Sequence, residues 1–140
     1  MTSPAYEAKK QQLIDFLRAQ GGGDIRLGKT TSNLFRDRQV APARRLDVRN
    51  FNNVLQVNAA QGYVEVEGMT PYAKLVAECL EHRVMPPVVP QLKSITVGGA
   101  ASGCGIEASS FKYGLVHECV QEMEILLGDG RTVVCSPTNE

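Results

Sequence analysis

Val97-Gly98-Gly99-Ala100-Ala101-Ser102-Gly103-Cys104-Gly105-Ile106-Glu107-Ala108-Ser109-Ser110-Phe111-Lys112-Tyr113-Gly114 is the stretch on which the reading of this chain turns. Five glycines, Gly98, Gly99, Gly103, Gly105 and Gly114, fall within 17 residues, more than a single turn requires. A residue without a β-carbon lets the main chain approach a neighbour or a ligand closely, and compact domains seldom carry functionless loops beyond about 12 to 15 residues. The expectation is a long Gly- and Ser-rich loop reaching Leu115, rich in open backbone N–H donors. Ile95 to Val97 reads as a short strand leading into it, and a further strand is expected by about Cys119.

Outward from this stretch the periodicities are clearer. Ser3 and Pro4 supply an N-cap and a first helical residue, and Tyr6, Leu13, Ile14, Phe16 and Leu17 keep an apolar stripe, predicting a helix from about Pro4 to Ala19 that Gly21-Gly22-Gly23 stops. Leu55 to Ala59 and Tyr63 to Glu67 alternate apolar and polar residues around a Gln61-Gly62 turn, the pattern of a β-hairpin. Thr70-Pro71 then caps a second helix with Tyr72, Leu75, Val76, Cys79 and Leu80 on one face, limited by Pro86-Pro87. Met123, Ile125 and Leu127 oppose Glu122 and Glu124, and Gly128-Asp129-Gly130 turns the chain into Arg131 to Cys135, a second hairpin.

With 140 residues, 43% hydrophobic and 21% charged, the chain has the size and composition of one folded domain or part of a larger one. Fifteen basic residues balance 15 acidic ones, which argues against nucleic acid as a partner, and no apolar run approaches the about 18 residues that span a bilayer. The N-terminus lacks the order of a secretory signal, so a cytoplasmic location is expected. Cys79, Cys104, Cys119 and Cys135 are spaced by 25, 15 and 16 residues without a C-x-x-C pair, and read as buried reduced thiols. His82 and His117 complete no metal set, so no metal is expected.

Two short phosphate motifs occur, each in the wrong surroundings. Gly23-Asp24-Ile25-Arg26-Leu27-Gly28-Lys29-Thr30 matches G-x-x-x-x-G-K-[ST], but a helix precedes it and Ile25 to Leu27 would have to form a strand inside the loop. Gly103-Cys104-Gly105-Ile106-Glu107-Ala108 matches G-x-G-x-x-[G/A], but Ser109, Ser110 and Gly114 interrupt the helix a dinucleotide crossover needs. What both retain is backbone bared between small side chains, at Gly28 to Asn33 and at Gly98 to Gly105, with Lys29, Thr30, Thr31 and Ser32 adding a charge and hydroxyls. Two such loops point to a large phosphate-containing cofactor. Glu107 reads equally as a ligand to a ribose or ring edge and as a cap on neighbouring amides, Tyr113 as a stack for a ring or, more commonly, a packing anchor, and Arg36, Arg38, Arg44 and Arg45 as a phosphate-facing cluster or, on the stronger reading, a solvated basic surface. No Ser-His-Asp, Cys-His or paired-carboxylate set assembles, so the catalytic residues stay unknown.

The ordered string Val88-Val89-Pro90, Ser94 to Gly99, Gly103 to Ser110, Tyr113-Gly114-Leu115 and Glu124 to Gly130 resembles the FAD-binding domain of the p-cresol methylhydroxylase (PCMH) and vanillyl-alcohol oxidase type, FAD-linked oxidases among them. Its G-x-G-I-E-x-S-S-x-x-Y-G run looks most like the sterol reductase branch. The resemblance implies an α+β fold: an N-terminal helix over 1–20, a first small α/β lobe over 21–92, and over 93–140 the beginning of an antiparallel second lobe, the chain being an N-terminal fragment. It further implies an FAD-dependent oxidoreductase whose cofactor lies between the lobes. By position Lys29, Thr30, Thr31, Ser32 and Asn33 correspond to one phosphate loop, and Thr96, Gly98, Gly99, Gly103, Cys104, Gly105, Ser109, Ser110 and Gly114 to the other, with Val120 near the adenine or ribose. No histidine stands in the first loop, so the FAD is expected to be non-covalent. The implied small-molecule substrate would bind through a missing C-terminal domain, the fragment alone would be inactive, and unpaired strand edges would favour a homo-oligomer. The rival readings are a non-enzymatic interaction fragment and a small P-loop nucleotide-binding protein.

Overall fold

Proline has a φ already suited to a helix and lacks only an N–H that the first turn would leave unused. The first helix, α1, accordingly spans Pro4–Ala19, with the Ser3 carbonyl accepting the amides of Tyr6 and Glu7. The computed structural model describes residues 3–19, 23–29 and 43–139. After Gly23, at φ +111°, strand β1 (Ile25–Gly28) pairs in parallel with β2 (Arg44–Asp47), setting Leu27 opposite Leu46. Ile14, Leu46 and Val48 are buried on this side of the molecule. Arg44 departs from the expected solvated cluster: its guanidinium lies 5.6 Å from the centre of the Phe16 ring. A guanidinium is attracted to the face of an aromatic ring, which favours this placement. Arg36 and Arg38 lie outside the described residues.

The first hairpin forms as expected, β3 (Val54–Asn58) antiparallel to β4 (Tyr63–Val66). Its return is closed by the Gly62 amide donating to the Asn58 carbonyl at 2.9 Å, with Gly62 at φ +71°. The second helix, α2 (Tyr72–Glu81), buries Tyr72, Leu75 and Cys79 and leaves Leu80 exposed. These three pack with Val88, Ala100 and Val116, and Val54 and Val64 of the hairpin lie against them. Thr70 does not cap α2. Pro71 occupies that position, and the fully buried Thr70 hydroxyl donates to the Asn53 carbonyl at 3.1 Å.

The expected long loop is broken by two short helices. Thr96 makes one isolated bridge to Pro71 and the chain turns at once into α3 (Val97–Ser102), so Ile95 to Val97 is not a strand. A capping threonine favours that outcome: Thr96 Oγ1 accepts the Gly99 amide at 3.2 Å. A short α4 (Ser110–Tyr113) and a 3₁₀ helix (Val116–Cys119) follow, the latter where a strand was expected. The second hairpin, β5 (Met123–Leu126) against β6 (Thr132–Cys135), matches its alternating pattern. Helices and small sheets together make the α+β architecture. Of the four cysteines, all free, only Cys79 is buried; Cys104 is exposed and the others are intermediate, which corrects their reading as core thiols.

Polar contacts tie α1 to both hairpins. Lys9 forms an ion pair with the buried Glu67 and donates to the Asn50 carbonyl at 2.8 Å. The same carboxylate accepts the Asn53 amide and side-chain nitrogen, each at 2.8 Å. At β5, Glu124 accepts Tyr6 Oη at 2.6 Å and Lys10 Nζ at 2.7 Å, and Arg18 reaches the Gly130 carbonyl at 3.3 Å. Burial and then the Glu124 contact push the Tyr6 hydroxyl well above its ordinary range. Burial would raise Glu124 too, but the bonds from Lys10 and Tyr6 outweigh it and hold the carboxyl below its usual 4.5.

A depressed carboxylate stabilises the fold above its unfolded pKa, and that stability is lost as the pH falls through the lower native value. Wild-type protein is expected to lose melting temperature below about pH 4.5 more steeply than Glu124→Gln, as calorimetry across that window would read. Glu67→Ala, which strands Lys9 and both Asn53 donors, is expected to cost about 3 kcal/mol in urea denaturation.

Candidate cofactor site

The glycine segment is positioned by the corner between β4 and α2. The Gly98 amide donates to the Gly68 carbonyl at 2.7 Å, Val97 to Thr70 at 3.0 Å, and Tyr72 to Ile95 at 2.9 Å. A β-carbon on Gly98 would stand 2.9 Å from the Gly68 oxygen, so the two backbones can meet only where residue 98 is glycine. Close packing also explains Gly103, whose β-carbon would stand 2.9 Å from the Gly99 oxygen, and Gly105, whose β-carbon would stand 3.0 Å from Val116 Cγ2.

These contacts correct the expectation that Gly98 to Gly105 bares many donors. Gly98 and Gly99 are bonded as described, Ala100 donates to Thr96 at 2.9 Å, Gly103 to Gly99 at 3.0 Å, Cys104 to Ala101 at 3.3 Å and Gly105 to Ala100 at 2.9 Å. A short helix satisfies its own amides, which a loop would have left open. The amides of Ile106 and Ala108, just beyond, make no hydrogen bond among the described residues.

The remaining expected site residues fall into three groups. Thr96, Ser109 and Ser110 are occupied internally: Thr96 caps α3, Ser109 Oγ donates to the Pro87 carbonyl at 2.9 Å, and Ser110 Oγ accepts the Glu107 amide at 3.0 Å. The Val120 amide donates to His117 at 3.2 Å. Cys104 is exposed at φ +52°, and Gly114 turns the chain at φ +78° beneath the Glu118 carboxylate. Lys29 is exposed directly after β1 and makes no ion pair among the described residues, while Thr30, Thr31, Ser32 and Asn33 lie outside them. Glu107 takes the structural of its two readings, its Oε1 accepting the Gln91 amide at 3.1 Å. Tyr113 is exposed beneath Lys112, not a packed anchor. Sequence reasoning missed Gly68 and Glu67; the only available signal was an acidic residue and a glycine following an alternating strand.

Neither short phosphate motif has its required setting. Ile25–Gly28 is a strand running through the first, where a loop would be needed to surround phosphates. After Gly105 comes α4, too short for a dinucleotide crossover. A shallow concavity of about 470 Å³ lies at the β1–β2 ladder, and Gly23, Asp24, Ala43 and Arg44 line it.

Residues 4–136 match the family model described as FAD binding domain. The chain belongs to this FAD-binding family, of the PCMH type. Over 89 residues it is 36% identical to the human Delta(24)-sterol reductase, covering 64% of this chain and 17% of that protein. The Pisum sativum Delta(24)-sterol reductase is 34% identical over 95 residues, 68% of this chain and 17% of its own length. Cytokinin dehydrogenase 8 of Oryza sativa subsp. indica is 33% identical over 78 residues, 56% of this chain and 15% of that enzyme. The chain therefore corresponds to about a sixth of these relatives. Among the described residues no helix is long and apolar enough to cross a membrane.

Gly98→Ala forces a β-carbon onto backbone, whereas Gly99→Ala meets only the Thr96 hydroxyl, at 2.9 Å. In parallel urea melts Gly98→Ala is expected to lose about 2 kcal/mol and Gly99→Ala clearly less.

Proposed function

We propose that this chain is the cofactor-holding part of an FAD-dependent oxidoreductase, acting on a small molecule bound by residues beyond those given. The observation that carries this reading is the family match over residues 4–136 together with open amides, those of Ile106 and Ala108 among them, next to a segment of minimal side chains. Flavin, when bound, accepts a hydride; the protein orients it and tunes its electrostatics.

The donor set suits a diphosphate. Backbone N–H groups and a lysine ammonium are what such a group accepts from, and Gly105, Ala108 and Ser109 leave room for close approach. Lys29 would give one phosphate oxygen a charged partner, with Thr30, Thr31, Ser32 and Asn33 continuing the first loop. In this reading Thr96, Gly98, Gly99 and Gly103 shape the second phosphate segment from within, Cys104, Gly105 and Gly114 set its turns, Ser109 and Ser110 brace it, and Val120 lies near the adenine or ribose. FAD is held non-covalently in this reading, between a first lobe over 21–92 and a second from 93. The four free cysteines support a reducing, cytoplasmic setting.

Purified chain mixed with FAD and then desalted is expected to retain flavin absorbance, and Lys29→Ala to weaken FAD binding about tenfold by calorimetry. A chain that releases all its flavin on desalting and gives no heat with FAD would refute the reading.

A further inference from the structure

The chain beyond the glycine helix holds its largest apolar side chains out in water. Phe111 is 92% exposed and Ile106 70%. The backbone presenting them is tightly bonded. The Ser110 amide donates to the Glu107 carbonyl at 2.9 Å and the Glu107 amide to Ser110 Oγ at 3.0 Å, closing a turn with Ile106 before it and Phe111 after it. Ser109 Oγ on the Pro87 carbonyl and Gln91 N on Glu107 Oε1 fasten that turn to the segment below, at 2.9 and 3.1 Å. On the far side the Leu115 amide donates to Glu118 Oε2 at 2.7 Å.

An aromatic ring fixed in solvent forgoes the stabilisation of burial, and apolar surface held out this way marks a binding face. Open polar donors beside an apolar platform are the usual make-up of a small-molecule site. We propose that Phe111, with Ile106 across the turn, forms a shelf for a planar ring of the FAD whose diphosphate meets the Ile106 and Ala108 amides. The inference rests on the cofactor reading above and adds to it a ring-binding face. Both ends of FAD are flat heteroaromatic rings, and stacking on a phenyl face suits either.

Titration of the full 140-residue chain with FAD, FMN and ADP, each against wild type, Phe111→Ala and Phe111→Tyr, tests it. Phe111→Ala is expected to weaken FAD binding roughly tenfold, while Phe111→Tyr stays within about twofold of wild type because the ring is kept. A loss shared by FMN but not ADP puts the flavin on the shelf; a loss shared by ADP but not FMN puts the adenine there. Since Phe111 is exposed, an unchanged melting temperature certifies that the variant is folded. Undiminished FAD affinity in Phe111→Ala overturns the shelf and leaves the cofactor reading standing. Failure of the wild-type chain to bind any of the three ligands overturns both.

Discussion

Two main chains touch where Gly98 donates its amide to the Gly68 carbonyl at 2.7 Å, with no room for a side chain on residue 98. That contact depends on the missing β-carbon, and much else depends on it in turn. It brings α3 against the end of the first hairpin, lets Val97 reach the Thr70 carbonyl, and sets Ala100 into the core beside Tyr72 and Val116. The glycines at 98, 103 and 105 serve first to let backbone pack on backbone or side chain.

The neighbouring residues make the same corner a junction for the rest of the molecule. Glu67 carries its charge into the interior, where it is tolerated because Lys9 and two Asn53 donors meet it. Through Lys9 the corner holds α1, and α1 holds the second hairpin through Tyr6 and Lys10 on Glu124. Thr70, two residues after Gly68, ties the corner to Asn53 by its hydroxyl and to Val97 by its carbonyl. Glu67, Gly68 and Thr70 therefore join the N-terminal helix, the first hairpin and the glycine segment.

The same geometry redistributes the features of the candidate site. Amides that would face a phosphate if Gly98 to Gly105 were a loop are satisfied inside a short helix and its cap, and the open donors at Ile106 and Ala108 come just after it. Hydroxyls at Ser109 and Ser110 brace the turn that carries Phe111. In this chain of an FAD-binding family the small residues of the segment build a frame, and exposed residues lie beside it.

Helix α1, both hairpins and α2 were legible in the sequence because each follows from local rules: a period near 3.6 or of two, Pro4 at the start, and Gly62 or Gly128-Asp129-Gly130 at the turns. The ordered motif string from Val88 to Gly130 likewise sufficed to recognise the family, since that information lies in residue order. The helical state of Val97–Ser102 was decided by tertiary structure. Glycine and alanine are compatible with loop or helix, and the choice fell to the Thr96 cap and to Gly68, a residue remote in the chain that accepts the Gly98 amide. The pairing of Lys9 with Glu67, the retreat of Arg44 onto Phe16 and the projection of Phe111 into solvent have the same origin. Each depends on which surface lies opposite, and periodicity along a chain carries no record of that.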